Sequence, residues 1–142
     1  MDSIELKICD IQGRLFELSA KRKYGSDNFV KLFMNSDTAK ALDSRYNRMQ
    51  WAGEEYLLEE VVSELKIIDL TGEIFSENVL YWIGYIYRYW HYYSGESSAK
   101  IYKQAPVKTM RRNYMMFHTM DPAAAIENLK EICCQKAENL NS

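Results

Sequence analysis

Apolar residues recur at Ile4, Ile8, Ile11, Leu15 and Leu18. Steps of four and three place them on one stripe of a helix running from Ser3 to about Tyr24. Ser3 reads as its N-cap and Gly25 as its stop, while Gly13 interrupts the pattern midway. From Ser26, SDNFVKLFMNS predicts a short helix with Phe29, Leu32 and Phe33 inward, and Ser36 caps a further short helix in SDTAKALDSRYNRMQW. After Gly53, EEYLLEEVVSELKII sets Tyr56, Leu57, Val61 and Leu65 beside an acidic face of Glu54, Glu55, Glu59, Glu60 and Glu64.

DLTGEIFSEN is the clearest loop, with Gly72 as its turn residue and Ser76 as the next N-cap. An aromatic helix follows from about Glu77 to Tyr93, and Ser94-Gly95 ends it. Ser97 starts another that runs to Ala105. Pro106 either stops that helix or opens VKTMRRNYMMFH, which is apolar at Val107, Met110, Tyr114 and Phe117. The last helix carries the strongest signals, with Asp121 as N-cap, Pro122 at the first position and a stripe of Ile126, Leu129, Ile132 and Cys133. A hairpin at Thr71-Gly72, between KIID and EIF, is the alternative in strand form, but its flanks are short. The pattern predicts an all-α fold: one compact domain over residues 1–142, with six to eight helices packed around the aromatic one.

That helix is YWIGYIYRYWHYY, where eight of the thirteen residues from Tyr81 to Tyr93 are aromatic. At about 100° per residue, Val79, Ile83, Ile86 and Trp90 share one narrow arc, bordered by Trp82 and Tyr93, and form the core stripe. The opposite arc holds Tyr81, Tyr85, Arg88 and Tyr92, with Gly84 and His91 alongside. Two readings of it stand side by side. A helix that is apolar all round is central, with neighbours on every side. Alternatively, tyrosine and arginine are enriched where proteins meet, so the arc is a partner-binding face.

Composition narrows the function classes. Hydrophobic residues make up 47% of the 142 and charged residues 27%, with only six glycines and two prolines. This is the balance of a globular helical protein. A net charge of −2 and a pI of about 5.7 argue against nucleic-acid binding and against base stacking on the tyrosines. Cys9, Cys133 and Cys134 follow no disulfide spacing, which suits a reducing compartment. Cys133 faces inward with the core and Cys134 elsewhere. The N-terminus has no signal-peptide pattern and no stretch is long and uncharged enough to span a membrane, so a cytoplasmic protein is expected.

Candidate chemistry is sparse. No Cys/His spacing matches a metal site, and neither a phosphate loop nor a nucleophile elbow occurs, so no metal and no cofactor are expected. RRNYMMFH places Arg112 and His118 in an R-x5-H arrangement that resembles the motif of HEPN-type ribonucleases, which are helical and often dimeric. That resemblance implies Arg112 as phosphate-charge stabiliser and His118 as general acid or base. The spacing rule is loose, and the alternative is a solvated basic pair with His118 at a helix end.

A wider resemblance rests on LYWIGYIYRYWHYYSGESSAKIYKQA and FHTMDPAAAIENLKEI, and runs from about Gly13 through QWAGEEYLLEE to Glu131. These segments resemble a family of small helical bacterial proteins in toxin–antitoxin-type gene clusters that encode an ADP-ribosyltransferase-like partner. The resemblance implies an accessory or antitoxin-like protein that binds a co-encoded toxin, and it carries no catalytic residues. The expected function is thus a non-enzymatic protein-binding module, with the Tyr81, Tyr85, Arg88 and Tyr92 face or the acidic Glu54–Glu64 helix as the surface. Its partner is another protein, and a homodimer is compatible with the sequence. The alternative is a ribonuclease using Arg112 and His118.

Overall fold

A helix begins where a side chain takes up one of its orphaned backbone N–H groups, and most boundaries here are set that way. The computed structural model describes residues 1–44, 48–65 and 70–141. Among them the chain forms α1 (Ser3–Lys21), α2 (Ser26–Met34), α3 (Asp37–Asp43), α4 (Glu54–Leu65), α5 (Glu77–Ser94), α6 (Ser98–Gln104), α7 (Val107–Phe117) and α8 (Pro122–Asn141). A short 3-10 turn, Arg48–Trp51, precedes α4. No strand occurs among the described residues. The KIID flank of the alternative hairpin, 66–69, lies outside them.

Ser36, Ser76 and Ser97 each accept a hydrogen bond from the backbone three residues on, as their spacing predicts. Asp121 accepts from the Ala123 N–H at 3.1 Å and Pro122 opens α8. Two boundaries differ from the sequence reading. The N-cap of α1 is Asp2, not Ser3, because Asp2 and Glu5 close a reciprocal capping box. Gly25 caps the start of α2 and does not end α1, which finishes at Lys21 with Arg22 as its C-cap.

The core is built on α5. Ile83, Ile86 and Trp90 are buried as the apolar arc requires, and Phe16, Phe29 and Phe33 meet edge-to-face or stacked beside them. The opposite arc is partly covered, because α1 lies along it in the most extensive helix–helix contact of the fold. Glycines permit that approach. A Cβ on Gly84 would sit 2.6 Å from the Gln12 carbonyl oxygen, and one on Gly13 would sit 2.7 Å from the Tyr81 ring. The buried face of α1 is therefore Ile8, Cys9, Gln12, Leu15, Phe16 and Ser19. Ile4, at the head of the predicted stripe, is 49% exposed. Burial pushes the Cys9 thiol up to about 12.

No helix among the described residues is long and apolar enough to cross a membrane. At the far end of the chain, Cys133 is half-buried where full burial was expected, and Cys134 is exposed. The reason is that α8 buries Ala125, Ile126 and Leu129 fully and Ile132 only in part, and every residue from 134 to 140 is exposed.

Candidate functional site

The four residues of the second arc do not share one environment. Arg88 has no exposed side-chain surface. Its Nε donates to Gln12 Oε1 at 2.8 Å, one terminal nitrogen to Asp43 Oδ1 at 2.7 Å and the other to Ser98 Oγ at 3.2 Å. Asp43 in turn accepts from the Ser98 backbone N–H at 2.9 Å, and Gln12 donates to the Gly84 carbonyl at 2.9 Å. The ion pair thus joins α1, α3, α5 and α6, and Arg88 belongs to the interior and to no solvent-facing surface. His91 lies beside it, 3.6 Å from Asp43 Oδ1, and its Nδ1 is 2.6 Å from the Glu96 carbonyl. A carbonyl oxygen only accepts, so that nitrogen carries the proton.

Tyr92 packs half-buried near the start of α1, and its enclosed hydroxyl has no hydrogen-bond partner among the described residues. Glu96 anchors the turn after α5. Burial alone raises its pKa, but hydrogen bonds involving Ser94, Trp90, Gln104 and Lys130 outweigh that and hold the carboxyl at about 2.

Tyr81 and Tyr85 differ from these. They are half-buried, and with Tyr89 they form a ladder of rings spaced 6.1 and 6.3 Å along α5. Tyr81 and Tyr85 form one wall of an open cleft of 540 Å³. Tyr114 of α7, His118 at its C-cap and Met120 line it too. Trp82 meets Tyr114 edge-on at 5.8 Å, and Tyr114 stacks on His118 at 4.3 Å. His118 is exposed, and its Nδ1 is held by the Tyr114 carbonyl at 2.8 Å. The Tyr81 hydroxyl donates to Asp10 at 2.5 Å; burial first, and then this bond, raise its pKa. Burial likewise raises that of Tyr85, so both rings stay neutral near physiological pH.

The cleft thus gathers Tyr81 and Tyr85 from one candidate surface and His118 from the other. It does not gather Arg112, which is exposed on α7 and absent from the lining. Six residues along a helix turn it by roughly 600° and advance it by about 9 Å, leaving the two side chains on different faces. The acidic helix adds to the same region. A second depression of 390 Å³ shares Glu17 and Tyr81 with the cleft and is also lined by Asp10, Arg14, Glu54 and Glu55. Sequence reasoning missed Glu17, Trp82 and Tyr114 as lining residues, because the placement of α1 and α7 beside α5 comes from tertiary packing. No group of three His, Cys, Asp or Glu side chains suited to a metal occurs among the described residues.

No family model, curated protein or solved structure matches the chain.

Proposed function

We propose that this protein is a non-enzymatic binding module that receives a segment of another protein in the Tyr81/Tyr85 cleft. One observation carries the reading: two neutral, half-exposed tyrosines form an open concave wall next to Tyr114 and Met120. Aromatic rings fixed on a rigid helix offer apolar contact area with little entropy to lose, which is the chemistry of protein-contact hot spots. A co-encoded toxin, as the sequence resemblance implies, is the natural candidate for the partner. The ribonuclease alternative stands second, since Arg112 is absent from the lining of the cleft that holds His118.

The test is capture of partners from the native host on the tagged protein, wild type beside Tyr85→Ala. Truncating a hot-spot tyrosine costs about 2 kcal/mol of binding or more, roughly a thirtyfold loss of affinity. The expected result is a specific partner lost from the folded variant. Equal capture by both proteins would contradict the proposal.

A further inference from the structure

The cleft and the acidic depression meet at Glu17 and Tyr81, and their charges are not balanced. Asp10 is neutralised by Arg14 at 2.9 Å and also accepts the Tyr81 hydroxyl. Lys21, which lines the depression, is drawn to Glu77 at 3.6 Å. The side chains of Glu17, Glu54 and Glu55 make no hydrogen bond or ion pair among the described residues. With Arg14 and Lys21 also in its lining, the depression holds four carboxylates against two cations, an excess of two negative charges beside a wall of neutral tyrosine rings. A ring face attracts a cation, and a long cationic side chain lays its apolar stem along the ring while its head reaches a carboxylate.

Resting on the reading above, we infer that the cleft and the depression are one bipartite site for an apolar segment of a partner protein carrying lysine or arginine. The segment's apolar side chains fill the space between Tyr85 and Tyr114, and its basic side chain crosses Tyr81 to the Glu17, Glu54 and Glu55 carboxylates. Neither half suffices alone. The cleft without its rim would accept any apolar peptide, and the rim without the rings is an ordinary solvated acidic face.

The experiment is selection of a displayed random-peptide library on the immobilised full chain, with Tyr85→Ala and Glu17→Gln/Glu54→Gln/Glu55→Gln as counter-targets. Enriched peptides are expected to pair Lys or Arg with aromatic or large aliphatic residues. Their affinity should fall at least tenfold on each variant, and raising the salt concentration should weaken the wild type more than the triple variant. Neutral or acidic peptides that still depend on Tyr85 would overturn this inference and leave the binding-module reading standing. Binders indifferent to Tyr85→Ala, or no binders, would overturn both.

A second occupant is also distinguishable. The outer face of α7 carries exposed Arg112, Met115 (78%) and Met116 (71%). Self-association by sedimentation that disappears in Tyr85→Ala would therefore put another copy of this chain in the cleft and overturn the inference.

Discussion

Asp43→Ala is expected to destabilise the protein by about 3–5 kcal/mol, the range for leaving one partner of a buried ion pair unmatched. The Arg88 side chain has no exposure and Asp43 only 12%, so a guanidinium without its carboxylate cannot recover hydration unless the interior opens. The loss compounds, because Asp43 also accepts from the Ser98 backbone and hydroxyl at 2.9 and 2.7 Å. Removing it thus loosens α6 from α3 as well. Urea denaturation measures the effect. Arg88→Met/Asp43→Ala should cost clearly less than the sum of its single changes, because the double variant strands no charge. A cost below about 1 kcal/mol for Asp43→Ala would show that the pair does not hold the fold together.

Gly84→Ala is expected to cost about 2–3 kcal/mol by overpacking. In an ordinary helix interior the same change stabilises by roughly 1 kcal/mol, so the sign itself is diagnostic. The added carbon would lie 2.6 Å from the Gln12 carbonyl oxygen and 2.9 Å from the Phe16 ring. The first of these is backbone, so α1 has to move as a unit, and the Gln12 bond to the Gly84 carbonyl stretches with it. Gly53→Ala is the control, since nothing lies within 4 Å of its new carbon, and it should stay within about 0.5 kcal/mol of wild type. A neutral or stabilising Gly84→Ala would mean that α1 and α5 do not approach through their glycines.

These two sites also show where the sequence was readable. The starts of α3, α5, α6 and α8 are local events, a capping side chain within three residues of the N–H it accepts, and local chemistry can be read from a local string. The buried face of α1 could not be read that way. Apolar spacing pointed to Ile4, but the helix turns Gln12 and Gly13 inward because their partners, Gly84 and Tyr81, come from α5. Gly13, a weak spot in a helical pattern, is the residue that allows the contact; two mid-helix glycines were the available signal. Arg88 looked like a surface residue among tyrosines because Asp43, 45 positions away, gives no sign of pairing with it in the string. Tyr81 and Tyr85 could be picked out by helical periodicity. The residues that make a concavity of them, Glu17 and Tyr114, belong to other helices.

The central claim is that the Tyr81/Tyr85 cleft is where this protein meets another. The most direct measurement places a photo-crosslinking phenylalanine analogue at Tyr85 and, separately, at Lys103 on α6, outside the cleft, in the native host. The account predicts a single discrete protein adduct from position 85 and none from 103. Adducts of equal yield from both positions, or from 103 alone, would contradict it.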